Sequence, residues 1–253
     1  MKLFVSLILL LTTITVVITA KKMIHPTVNI CLRNDPNLSA CFKENFKKML
    51  PLMKSGIPEM NIVPIEPVHV EKVRMDFPQS QSVKLTADLK DMKVWGLGST
   101  IVDDITVQSI GDTLTMNIDL IIPSITMVSD YTAVGKFLVL NIDAVGNYTG
   151  DFRDLHVKTK WTSKLYKKKD RDHLSWQCNI EQLTIKKLSI QFNNLFGNQT
   201  ELTDNTNKVI NENIDSLYDE ISPVIKETIN SVATNIVNHV YDLFPLDVLF
   251  PKS

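Results

Sequence analysis

The sequence predicts an α+β fold: a long, highly curved antiparallel β-sheet wrapped around a long C-terminal α-helix, with a short N-terminal helix in front of both. Three observations lead there. From about Ile62 to Phe192, apolar and polar residues alternate with period two, punctuated by tight-turn signals. From Asp204 to Phe244 the apolar period becomes helical, over about 40 residues or about 60 Å of helix. The sheet has one apolar face and the helix one broad apolar stripe, so each buries the other if the sheet curls around the helix.

The chain opens on Lys2 and an apolar run, Leu3 to Ile18, followed by Ile18-Thr19-Ala20 with a small residue at the end. This is the pattern of a secretory signal peptide, residues 1–20. A single N-terminal membrane anchor is the alternative, but the run is short of the ~20 residues that spanning needs. Residues 21–253 then form a single domain in a secreted, extracellular protein. Its 27 basic and 28 acidic side chains nearly balance, which gives no support for nucleic acid as a partner, since that demands a basic face. At 44% hydrophobic residues the chain is too apolar to be disordered.

Secretion makes cysteines oxidisable. Cys31 and Cys41 flank the turn-rich Asn34-Asp35-Pro36-Asn37, which can fold back and bring their sulfurs together. Cys178 shares a strand face with Leu174, Trp176 and Ile180 and reads as a buried free thiol, with an intermolecular disulfide as the alternative. No metal is expected, because His25, His69, His156, His173 and His239 are scattered. Of three N-x-[ST] sequons, those at Asn147 and Asn198 lie near turn signals and are the expected glycan sites, whereas Asn37 sits inside the small cysteine ring.

Each element has its own signal. Ser39 to Lys54 carries Phe42, Phe46, Met49, Leu50 and Met53 at helical spacing, with Pro51 expected to kink or end the helix. Val83, Leu85, Ala87 and Leu89 alternate next. Ile101–Ser109 and Thr113–Ile122 flank the Gly111-Asp112 turn, and Phe137–Ala144 continues the theme. Leu155 to Leu165 leads into a charged turn, Lys167 to His173. Leu174 to Phe192 alternates again, with a phase shift near Gln182 that suggests a bulge. In the last element Pro223 predicts a kink within one helix, and Pro245 ends it. A coiled-coil dimer is the alternative for this helix. The breadth of its stripe and its Asn, Ser and Thr flanks argue for the wrapped sheet and a monomer.

Catalytic signatures are missing. Gly96-Leu97-Gly98-Ser99 has the wrong order for a nucleophile elbow, and no Walker or G-x-G-x-x-G loop occurs. Asp103-Asp104 reads as a polar turn, and Lys167-Lys168-Lys169 as a solvated hairpin tip where membrane contact is not expected. No enzyme and no cofactor are therefore expected. What remains is an interior, packed solid or hollow. Its candidate lining is Trp95, Met116, Phe137, Trp161, Trp176 and Phe192 from the sheet and Leu217, Tyr218 and Ile221 from the helix. Tyr131 and Tyr218 are the candidates for orienting a ligand's polar end.

Several segments, in order, resemble the insect takeout and juvenile hormone binding protein family over almost the whole mature length. They are Cys31-Leu32-Arg33 with Asp35-Pro36 and Cys41, Gly56-Ile57-Pro58-Glu59, then Pro123, Tyr131 and Gly135-Lys136-Phe137. Leu188 to Gly197 and Pro245 to Pro251 complete the set. The resemblance implies a TULIP-like super-roll with a tunnel for small lipophilic ligands, such as terpenoids, juvenile-hormone-like molecules or fatty acids. It also implies that Cys31 pairs with Cys41. Cys178 lacks the partner for the second disulfide of the hormone-binding branch, which favours the takeout-like branch. The expected protein is a secreted carrier of a small lipophilic ligand. A protein-interaction factor with a packed interior and a membrane-docking lipid-transfer protein are the alternatives.

Overall fold

The computed structural model describes residues 23–78 and 80–252. The signal-peptide expectation, residues 1–20, lies outside the described residues. Helix α1 spans Leu38–Met53 and passes through Pro51 without ending there. Just before it, Cys31 and Cys41 form the expected disulfide, with Cα atoms 5.8 Å apart. By chain entropy, closing so short a loop is worth about 2–3 kcal/mol.

One six-stranded antiparallel sheet follows: β1 (Val68–Asp76), β2 (Val83–Trp95), β3 (Ile101–Ile110), β4 (Thr113–Phe137), β5 (Leu140–Lys168) and β6 (Arg171–Phe192). The order is β1-β2-β4-β5-β6, and β3 pairs with β4 end to end with β2. The corner between β2 and β3 needs Gly96, at φ 102, because a Cβ there would lie 2.0 Å from the Ser124 carbonyl oxygen. Glu66 pins the same corner by accepting the backbone N–H groups of Gly96 and Gly98 at 2.6 and 2.9 Å.

The long middle strands change face part-way along. In β4 the buried positions run Leu114, Met116, Ile118 and Ile122, then resume as Ile125, Tyr131, Ala133 and Phe137. In β5 they run Ile142 and Ala144, then Leu155, Val157 and Trp161. The switches are in register: Ile122 pairs with Leu155 and Ile125 with Phe152, enclosing Pro123–Ser124 and Arg153–Asp154, with Asp154 at φ 53. Such irregularities bend a sheet, and a row of them across adjacent strands lets this one curl. The shift near Gln182 is also real, a register slip where Thr159 pairs with Ile180 and Lys158 with Gln182. The segment expected as Phe137–Ala144 is instead two strand ends joined by a turn at Leu138–Val139.

The expected single long helix is two: α2 (Thr200–Glu212) and α3 (Ile214–Tyr241), ahead of a last turn, α4 (Leu246–Leu249). The break falls at Asn213, not at Pro223, which stays inside α3 on its exposed side. Asn213 donates its side-chain amide to Val209 O at 2.8 Å, offering the backbone an alternative to another helical turn. No described helix is long and apolar enough to cross a membrane.

Candidate functional site

The apolar stripe of α3 faces the apolar side of the sheet in three successive groups. At one end Ala233, Val237 and Tyr241 meet Met116, Trp161 and Trp176. In the middle Tyr218 and Ile225 meet Ile122, Leu155 and Leu183. At the other end Ile214 and Leu217 meet Leu89, Tyr131 and Phe192. Packing here is incomplete. Leu217 is the only fully buried residue of α3, although the others touch the sheet. Tyr148 and Tyr241 belong to these groups and are only half-buried.

The polar flank of the helices has its own partner, the free edge of β6. Asn207 and Asn211 of α2 each bond both backbone groups of one edge residue, Phe192 and Ile190 respectively. On α3, Asn230 Oδ1 accepts the Ile180 N–H at 2.8 Å and Thr234 Oγ1 the Cys178 N–H at 3.0 Å. Asn238 bonds both backbone groups of Trp176. The exposed ladder of an edge strand is thus satisfied by side chains instead of another strand. Toward the opposite edge, the Glu220 carboxylate accepts the Ser80 and Ser82 hydroxyls at 2.6 and 2.7 Å and the N–H groups of Gln81 and Ser82. These bonds pull its pKa down to about 2. One side chain therefore latches α3 to the β1–β2 loop, while a ladder holds it to β6.

The structure distributes the sequence-derived candidates between the two ends of this interior. Met116, Trp161 and Trp176 gather at one end with Cys178, whose thiol burial pushes up to about 12. Tyr131, Phe137, Phe192 and Leu217 gather at the other, with the Tyr131 and Phe192 rings edge to face at 5.4 Å. Tyr218 lies between them. Ile221 is half-buried and joins none of the apolar groups. Trp95 stands apart as well, beside Thr126 and on the face opposite to its neighbour Val94.

The hydroxyls expected to orient a ligand are already engaged. Tyr131 donates to Asn193 O at 2.8 Å and Tyr218 to Leu183 O at 3.1 Å. Sequence reasoning missed Tyr148 and Tyr241, whose hydroxyls find no hydrogen-bond partner among the described residues and whose pKa values burial raises. The missed signal was Gly146-x-Tyr148-x-Gly150 along one strand face. A Cβ on Gly150 would lie 2.4 Å from the Tyr148 hydroxyl, so glycine makes room for the ring. The indole N–H of Trp176 is also buried without a partner. Of two surface hollows of about 320 and 360 Å³, the first is lined by Tyr131 with Lys90, Asp130 and Asn147, and the second by Lys168, Arg171 and Asp242. Neither is lined by the apolar stripe of α3. Among the described residues no group of side chains is placed to hold a metal.

Comparison with known proteins agrees with this architecture. The Takeout 1 crystal structure from Epiphyas postvittana superposes with a TM-score of 0.64 at 20% identity, covering 87% of this chain and 98% of that one. The circadian clock-controlled protein daywake of Drosophila melanogaster is 25% identical over 220 residues, 85% of this chain and 84% of that protein. Its Drosophila yakuba counterpart is 24% identical over 217 residues, covering 83% of each chain. The sequence profile of the family described as haemolymph juvenile hormone binding protein matches residues 7–251. The chain belongs to the haemolymph juvenile hormone binding protein family, and its curved sheet around a long C-terminal helix is the takeout fold.

Proposed function

We propose that the protein is a secreted, monomeric carrier that holds a small lipophilic ligand between the sheet and α3, and that it performs no catalysis. The observation that carries this reading is the incomplete burial of apolar and aromatic side chains on the facing sides of sheet and helix, Tyr148 and Tyr241 among them. A packed core would bury them. Membership in a family named for hormone binding supports a ligand-binding protein over an enzyme. Transfer of apolar ligand surface from water supplies the driving force, about 25 cal/mol per Å² before the costs of association. The ligand we favour is a terpenoid or fatty-acid-like molecule with one polar end, in keeping with the takeout-like branch. Met116, Trp161 and Trp176 would hold one end of it, and Tyr131, Phe137, Phe192 and Leu217 the other. Both proposed glycan sites, Asn147 and Asn198, are exposed, which suits a secreted chain.

The test is native mass spectrometry of the mature, deglycosylated protein secreted from eukaryotic cells, followed by organic extraction of whatever is bound. A stoichiometric lipophilic passenger is expected. An empty protein that also takes up no terpenoid or fatty acid would overturn the reading.

A further inference from the structure

The β4–β5 hairpin breaks two local rules at the same place. Its turn consists of Leu138, 49% exposed, and Val139, 91% exposed, where polar residues are usual. Leu138 adopts φ 52, a conformation normally left to glycine or asparagine. Immediately behind the turn, the exposed Lys84 and Lys136 are directly paired across strands, and like charges in that position disfavour the pairing. On the outer face Val134 and Val145, 61% and 65% exposed, are diagonal neighbours, since Val134 pairs with Asp143 and Val145 with Thr132. Asp143 is the exposed acid within this patch. Farther back, Asp76 and Asp88 are engaged by Arg74, Thr86 and Lys72. The tip is joined to the β1–β2 loop, because Leu138 N–H donates to Ser82 O at 2.7 Å.

We propose that this tip is a docking site for an anionic membrane surface. Leu138 and Val139 enter the boundary between headgroups and acyl chains, and Lys84 and Lys136 meet the lipid phosphates and carboxylates. Projecting aliphatic residues flanked by cations suit that boundary, where apolar burial and attraction to anionic lipid add. A second copy of the chain is a poorer match, because a two-residue convex tip offers far less than the roughly 800 Å² per partner of a stable interface. The location also has a use. Val83 and Phe137 pair just inside the turn and belong to the apolar group at this end of the interior. Docking therefore sets that end against the lipid. The proposal goes beyond the carrier reading and does not depend on it.

The test is flotation of the full mature chain with vesicles of phosphatidylcholine alone, or with about a third phosphatidylserine. The wild type is expected to float with the anionic vesicles only, and less as salt rises. The double variants Leu138→Asp/Val139→Asp and Lys84→Glu/Lys136→Glu are each expected to lose binding at least about tenfold, with unchanged melting temperature. Lys167→Glu/Lys169→Glu, at the β5–β6 hairpin, should keep it. No flotation of the wild type, or flotation that survives both tip variants, would overturn the proposal. So would loss confined to the Lys167/Lys169 variant, or a lipid-free dimer abolished by the tip variants in sedimentation. Uptake of a fluorescent fatty acid in free solution, measured on the same proteins, reports on the carrier reading separately.

Discussion

Asn238 on α3 grips Trp176 by both halves of its backbone. The side-chain carbonyl accepts the Trp176 N–H at 2.6 Å, and the side-chain amide donates to Trp176 O at 2.9 Å. Thr234 and Asn230 accept the N–H groups of Cys178 and Ile180 in turn, so four residues of helix keep step with two of strand. The pitches nearly match, at about 6.0 Å against about 6.6 Å per rung. The small mismatch accumulates between Asn207 at Phe192 and Asn238 at Trp176, a rise of about 46 Å in helix against about 53 Å in strand. One continuous helix would fall about a rung short, and the interruption at Asn213 lies between the two sets of rungs.

Removing a rung should therefore destabilise the fold without touching its apolar core. Asn238→Leu and Thr234→Val leave edge N–H groups without their partners, and each is expected to cost about 1–3 kcal/mol in urea unfolding. Values within about 0.5 kcal/mol of wild type for both would place these side chains among ordinary surface residues.

Much of this architecture is legible in the sequence, and the rest is hidden for identifiable reasons. Strict alternation exposes the Gly111–Asp112 turn and the slip near Gln182. It fails where both phases are apolar: Ile121 and Ile122 precede Pro123, Ile125 follows, and the face switch between them leaves no mark. Trp95 is a direct casualty of a similar slip. Val83, Leu85, Ala87 and Leu89 are in phase with it, but the irregularity at Lys90–Lys93, with Asp91 at φ 49, moves Met92 and Val94 inward and turns Trp95 out. The Asn, Ser and Thr flanks of the last helix are plain in the sequence, whereas their partner is backbone, which carries no side-chain signature. The break at Asn213 likewise has neither glycine nor proline to announce it.

The Glu220 latch makes a pH-dependent contribution whose sign follows from its bonds. Four donors stabilise the ionised carboxylate, so its folded pKa of about 2 lies below the ordinary 4.5. The contribution is fully present above the ordinary value and is lost as pH falls toward 2. Thermal melts of wild type and Glu220→Gln should differ by a constant amount above about pH 5 and converge below it. A gap that persists unchanged to pH 2 would show that the charge is not what holds the loop.

Cys178 should be chemically silent in the folded protein. Burial among Met116, Trp161 and Trp176 pushes its thiol up to about 12, which leaves almost no thiolate near neutrality. Ellman's reagent at pH 8 is expected to label no thiol in the native chain, and a single thiol after denaturation without reductant. Rapid labelling of the native protein would mean that the β6 edge opens far more readily than its side-chain ladder implies.

Tyr148 is the sharpest probe of what the interior is for. Its hydroxyl has no hydrogen-bond partner among the described residues, so in the empty protein it contributes little to stability. Tyr148→Phe should accordingly unfold within about 0.5 kcal/mol of wild type, or slightly later. Bound to a ligand that carries an ester or carboxyl end, the same hydroxyl gains a partner worth about 1 kcal/mol, so the variant should bind such a ligand about fivefold more weakly. Affinity for a hydrocarbon of equal length should not change. Titration of both ligands into both proteins, with calorimetric detection, separates these outcomes. Equal losses for the polar and apolar ligands would point to altered packing of the Tyr131–Phe192–Tyr148 rings. No loss for either would move the polar end of the ligand toward Tyr241 and the unpartnered Trp176 indole at the opposite end.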